Sequence, residues 1–129
     1  MAAEQGLVEA QFRLGVMFDS GRGVPQSYAE AAHWLWLAAD QGEANAQFLL
    51  GAMFHKGQGV SQDLVRADMW VNLASSGSQG DASEGSISAR ELLAEQMLPD
   101  RLAEAQRLAD EWKSKTWLKL KAALETQSE

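Results

Sequence analysis

One stretch of 36 residues occurs twice in succession. Residues 3–38 and residues 39–74 are identical at 18 of 36 positions, far beyond coincidence. A tandem period of this length marks an array in which each unit buries its apolar face only against its neighbours. The chain is therefore expected to be all-α, a solenoid of antiparallel helix pairs. A length of 129 residues suits one such domain.

Within each copy the apolar positions recur at helical spacing. In the first, Ala10, Leu14, Met17 and Phe18 form one stripe on a helix predicted over residues 7–19. Gly15 lies beside Leu14 and has a twin in Gly51. A glycine inside a helix costs roughly 1 kcal/mol against alanine, so its recurrence at one phase predicts a close approach between helices. Gly21-x-Gly23 and Gly57-x-Gly59 end these helices, since glycine tolerates the left-handed backbone of a helix terminus. Val24 and Val60 follow and are expected to plug each loop into the core.

Ser27 is the predicted N-cap of the next helix, with Glu30 completing a capping box. Asp63 takes the cap in the second copy. Ala31, Trp34, Leu37 and Ala38, with Ala67, Trp70, Leu73 and Ala74, mark the buried faces of the second helices. Short loops between helices of about 12 residues give antiparallel pairs.

The edges of the array are less regular. Residues 1–6 repeat the end of the first copy, which suggests the tail of a unit from a longer array. Residues 75–98 read as a Ser/Gly-rich insertion and a degenerate third unit. Residues 75–88 alone hold six serines and three glycines. The third first-helix then starts at Ser88, capped with Glu91, or near Asp81 if Gly85 is tolerated. It ends near Met97. Pro99 suits a helix first turn. A capping helix and tail are expected over residues 99–129, with Leu102, Ala105, Leu108, Ala109 and Trp112 as its buried stripe. Lys113, Lys115, Lys119 and Lys121 then surround Leu118. They read as a solvated helix end whose cations suit the dipole, or as a contact for a partner or membrane surface.

The net charge of −7 is concentrated in residues 1–98, with 12 acidic and five basic side chains, against six of each beyond. Such a body disfavours nucleic acid and anionic membranes as partners. No cysteine is present, which excludes disulfides and thiolate chemistry. No apolar run reaches the ~20 residues of a membrane span, and the opening residues do not read as a signal peptide.

No set of residues points to catalysis. His33 and His55 fall at different repeat phases, without a third imidazole or an HExxH pattern, so no metal site is expected. Phosphate-loop, dinucleotide and nucleophile-elbow motifs are missing, and no cofactor is expected. Trp34, Trp70 and Trp112 sit on predicted core stripes, which leaves Trp36 and Trp117 as interface candidates.

The duplication also separates packing from surface. Positions needed for packing agree between copies; positions free of packing differ. On the first helices the differing residues are Glu9/Asn45, Arg13/Leu49, Val16/Ala52, Asp19/His55 and Ser20/Lys56. They fall along one side of the helix, with Phe12 and Phe48 among them. The candidate protein-binding face is therefore Glu9, Phe12, Arg13, Val16 and Asp19 with Asn45, Phe48, Ala52, His55 and Lys56. Aromatic anchors among varied polar groups suit peptide or protein recognition, although the two phenylalanines read equally well as core.

These residues resemble the Sel-1-like repeat of bacterial type, a tetratricopeptide-like α-solenoid unit. The resemblance rests on Ala10-Gln11, Leu14-Gly15, Phe18, Gly21-x-Gly23-Val24, Ala31, Trp34, Ala38-Ala39 and Gly42. It is repeated in Ala46-Gln47, Leu50-Gly51, Phe54, Gly57-x-Gly59-Val60, Ala67 and Trp70. Residues 97–112, MLPDRLAEAQRLADEW, are similar to a closing segment of bacterial members. Leu98 departs from the pattern, standing where a capping Ser or Thr is usual. The resemblance implies a right-handed superhelical solenoid with first helices lining a concave face. It implies non-catalytic scaffold or adaptor roles in the bacterial cytoplasm or periplasm. The alternative is a self-assembling module, a homo-oligomer joined through the N-terminal helix or the C-terminal tail. Some cysteine-rich relatives are linked to β-lactam binding; this chain lacks those cysteines.

Overall fold

A computed structural model describes residues 2–77 and 81–127, with side chains omitted at residues 2–6, 77, 81–87, 117, 120 and 123–127. The chain is an all-α repeat solenoid. Its helices are α1 (Ala2–Ser20), α2 (Tyr28–Asp40), α3 (Ala44–Lys56), α4 (Leu64–Gly77), α5 (Asp81–Gln96) and α6 (Pro99–Gln127). α1 pairs with α2, α3 pairs with α4, and α2 packs on α3 to join the two pairs. α5 and α6 both rest on α4, and among the described residues they barely meet each other.

The duplicated residues build duplicated joints. The N–H groups of Gly21 and Arg22 donate to Met17 O, and those of Gly57 and Gln58 donate to Met53 O. Gly21 and Gly57 reach φ of +73° and +72° to do so. Ser27 accepts from the Glu30 N–H at 3.3 Å, and Asp63 accepts from the Arg66 N–H at 3.1 Å, so both predicted N-caps form. Each cap residue also ties its loop back to the preceding helix. Ser27 N–H donates to Phe18 O, and Asp63 N–H donates to Phe54 O.

Gly15 and Gly51 are notches. A Cβ on Gly15 would lie 2.7 Å from Leu35 Cγ, and one on Gly51 would lie 2.7 Å from Val71 Cγ2. Leu35 and Val71 are twins, each a buried knob pressed into the opposite helix. This corrects the expected face of α2. Leu37 is 38% exposed and Trp34 only half-buried, whereas Ala31, Ala32, Leu35, Ala38 and Ala39 are buried. A knob fills the notch in both units, yet Leu37 is exposed where its twin Leu73 is 3% exposed, so the neighbouring helices decide the burial of this position.

Twin helices differ in what covers them. Ala46, Leu50, Met53 and Phe54 of α3 are at most 5% exposed. In α1 the same residue types behave otherwise. Ala10 is exposed, and Leu14, Met17 and Phe18 are half-buried, because α3 is packed by α2 as well as by its partner α4, whereas among the described residues α1 has α2 alone packed closely against it. Residues 2–6 continue α1 and do not form a separate tail. The turn at Gly42, with φ +94° and hydrogen bonds from Gln41, Gly42 and Glu43 to Ala38 O and Ala39 O, has no counterpart at Gly6.

The Ser/Gly-rich stretch is largely helical. α4 runs to Gly77 and α5 starts at Asp81, not Ser88. Docking of Ala89 and of Leu93, 3% exposed, onto the core outweighs the weak helix propensity of the serines and Gly85. Residues 78–80 lie outside the described residues. α6 is one helix of 29 residues anchored by Ala105 and Ala109, both fully buried. It starts at Pro99 even though Leu98 offers no capping side chain.

One charge is buried in this stack. The Asp68 side chain is 4% exposed, and Arg90 Nε lies 3.8 Å from its Oδ1. Desolvation pushes the Asp68 carboxyl above its ordinary 3.8, against a smaller opposing pull from Arg90. The ionised form is thus penalised in the fold. The stability tied to Asp68 is complete below its unfolded pKa and is lost as pH rises through the elevated value. Asp68→Asn, which cannot ionise, is expected to melt higher than the wild type at pH 7. The gap should close by about pH 3. Paired melting curves across pH check this, and a gap that does not change with pH would contradict it.

Candidate functional site

The first helices α1 and α3, with α5 beside them, form a face with two adjacent hollows. One, of about 100 Å³, is lined by Asp19 of α1, Leu35 of α2, and Leu49, Ala52, Met53 and Lys56 of α3, with Gln58 from the following loop. The other, of about 80 Å³, is lined by Phe48, Gly51, Ala52 and His55 of α3, Val71 of α4, and Ala89, Leu92 and Leu93 of α5. Ala52 belongs to both, so the hollows run side by side across α3. Two apolar side chains stand exposed on the flanking helices, Val16 at 36% and Leu92 at 57%.

The loops hold this face in place. Gln26 Nε2 donates to Asp19 O at 3.4 Å, and its twin Gln62 Nε2 donates to His55 O at 2.9 Å. Each glutamine therefore fixes the end of a first helix just where a hollow opens. Across the second hollow, His55 Nε2 lies 3.3 Å from Gln96 Oε1, which links α3 to α5.

Asp19, Phe48, Ala52, His55 and Lys56 come together around the hollows. Glu9, Arg13 and Asn45 are exposed and line neither. The two phenylalanines separate. Phe12 packs against the core, whereas Phe48 lines a hollow. Leu92, Ala89 and Gln96 were not singled out from the sequence. They lie on α5, which has no repeated counterpart for comparison. Gln26 and Gln62 could have been found, because their identity between copies marks a structural duty.

The remaining candidates lie elsewhere. His33 is exposed and stacks edge-on against Trp34 at 5.3 Å. Trp36 is 37% exposed and meets Phe54 and Trp70 edge-on, at 5.6 and 6.1 Å. The Trp117 side chain lies outside the described residues. Among the described residues no group of three or more His, Asp or Glu is placed to hold a metal ion. No described helix is long and apolar enough to cross a membrane.

Paired helices joined through duplicated Gly-x-Gly turns, with an open face along the first helices, define a helical-repeat protein of the kind used as a protein-interaction scaffold. Residues 8–43 and 44–78 both match the Sel1 repeat model, and the chain belongs to the Sel1 repeat family. The matched boundaries are shifted in phase from residues 3–38 and 39–74, as a tandem period permits. The chain is similar to the crystal structure of a protective antigen present in uropathogenic Escherichia coli strains, which displays an SLR fold. The two are 30% identical with a TM-score of 0.77, over 94% of this chain and 26% of that one. It is also similar to a Sel1 repeat protein from Oxalobacter formigenes, at 37% identity and a TM-score of 0.60, over 67% of this chain and 65% of that one. The chain thus spans about a quarter of the first relative and just under two thirds of the second. No curated protein matches it. Proteins of this family generally act as scaffolds for protein–protein interaction.

Proposed function

We propose that the chain is a non-catalytic scaffold that binds a protein or peptide partner across α1, α3 and α5. The observation that carries this reading is the pair of hollows sharing Ala52. They are framed by residues that differ between the copies, Val16/Ala52 and Asp19/His55, and flanked by the exposed Leu92. Apolar pockets rimmed by varied polar groups are where a partner's anchoring side chains bury most effectively. Asp19, His55 and Lys56 then supply orientation at the rim.

The test is affinity capture from the source organism's lysate, with Ala52→Glu and Leu92→Glu run beside the wild type. A glutamate at position 52 places a charge in both hollows, and Leu92 is exposed enough to change without loss of the fold. Partners held by the wild type are expected to fall at least tenfold on both variants while helical circular dichroism is unchanged. Undiminished capture by both variants would place the binding face elsewhere. Phe12 is the wrong probe, because a charge there also disturbs the core.

A self-assembling module remains the second reading. It is favoured by the uncovered Leu7, 57% exposed, beside Ala10 on α1, and by Leu118, 61% exposed, on α6. A mass that stays monomeric at high concentration in light scattering would remove it.

A further inference from the structure

A second opening lies on a different side of the molecule, between α5 and α6. Because both helices rest on α4 and barely meet, a cleft of about 520 Å³ separates them. Its walls include Ala94 of α5 and Leu102 and Ala103 of α6, and Asp68 of α4 and Arg90 of α5 line it from within.

The polar groups in this cleft are under-satisfied. Asp68 and Arg90 stand 3.8 Å apart, too far for a hydrogen bond, and Asp68 forms none among the described residues. Arg90 Nε is buried without a hydrogen-bond partner. Buried polar groups in native proteins are nearly always paired, and an exception calls for a ligand or another explanation. The pair is itself neutral and offers one acceptor and one donor side by side, while Glu91, an exposed carboxylate, also lines the cleft. The complement is a neutral group carrying a donor and an acceptor together, as a peptide bond does.

We propose that the α5–α6 cleft binds an extended peptide segment, with one of its peptide groups bridging Asp68 and Arg90. The body of a helical ligand has already spent its backbone amides internally and leaves only its termini to offer them. An extended one keeps them free. Gln106 of α6 lines the same cleft and is held in place by Asn72 Nδ2, which donates to its Oε1 at 2.8 Å. Ala94 and Ala103 leave room for the backbone to approach, and Leu102 offers an apolar contact to an alternating side chain. The proposal concerns a different surface from the α1–α3–α5 face and stands or falls separately.

The experiment is selection of a random heptapeptide phage library on the intact chain, followed by fluorescence polarisation with the selected peptides. Ala103→Trp fills the cleft from an exposed helical position, and Arg90→Lys keeps the charge while removing the Nε donor. Bound peptides are expected to lose at least tenfold in affinity on each variant, with helical circular dichroism unchanged. N-methylation of a single peptide bond should weaken them as much. Selected peptides that ignore Ala103→Trp overturn the proposal. If those same peptides are lost on Ala52→Glu, the first-helix face keeps its role and the cleft has none. A library that yields no binder overturns the proposal too.

Discussion

Replacing Trp70 with alanine is expected to lower the unfolding free energy by about 3–5 kcal/mol, the cost of emptying a large aromatic site in a packed core. Trp70 is 2% exposed. Its ring meets Trp36 of α2 at 6.1 Å and Trp112 of α6 at 6.3 Å, both edge-on. Trp36 in turn meets Phe54 of α3. One side chain thus ties the second helix of each unit to the next. Trp112 is itself held by its Nε1, which donates to Asp40 Oδ1 at 3.0 Å. Trp70 Nε1, by contrast, is buried with no partner among the described residues. Trp70→Phe removes that orphaned N–H along with part of the ring, so it should cost much less than alanine. Urea unfolding followed by circular dichroism measures both. A loss under about 1 kcal/mol for the alanine variant would mean that the neighbouring rings close the gap.

The second large effect separates two glycines that look equivalent. Gly23 and Gly59 are twins, with φ of +78° and +76°. Any L-residue there carries the strain of left-handed backbone, roughly 1–2 kcal/mol. Their surroundings differ. A Cβ on Gly23 would meet only Met17 Cε at 3.2 Å, the far end of a flexible side chain. A Cβ on Gly59 would run into the backbone carbonyl of Tyr28, at the start of α2. Backbone in a helix first turn cannot step aside without moving the joint between the units. Gly59→Ala should therefore cost about 3 kcal/mol or more, and Gly23→Ala about 1 kcal/mol. Equal costs in parallel denaturation curves would show that the second loop shifts freely.

Duplication made much of this fold readable. A glycine inside a helix is costly, and its return 36 residues later announced the notches that Leu35 and Val71 fill. The caps at Ser27 and Asp63 were legible because the N-cap position admits few side chains. The knobs themselves were not, since Leu35 and Val71 differ in type and so looked dispensable. Leu37 and Leu73 are identical, yet only Leu73 is buried. Identity marks a shared position in the unit, while burial also depends on which helix comes next. α5 was the least legible element, because serines and a glycine hide a helix whose stability comes from docking Ala89 and Leu93. The hollow-lining Leu92 was missed with it. The cleft between α5 and α6 had no sequence signal, because it arises from two helices failing to meet.

The uneven covering of α1 and α3 bears on how freely each can vary. The two helices share Ala, Gln, Leu, Gly, Met and Phe at matching positions. Leu50 is wholly enclosed while Leu14 is half-open. An identical truncation therefore leaves a sealed void in one helix and a surface dent in the other. Mutational tolerance in this chain belongs to a position in the stack rather than to a position in the repeat, so the two copies can drift at different rates while encoding the same shape.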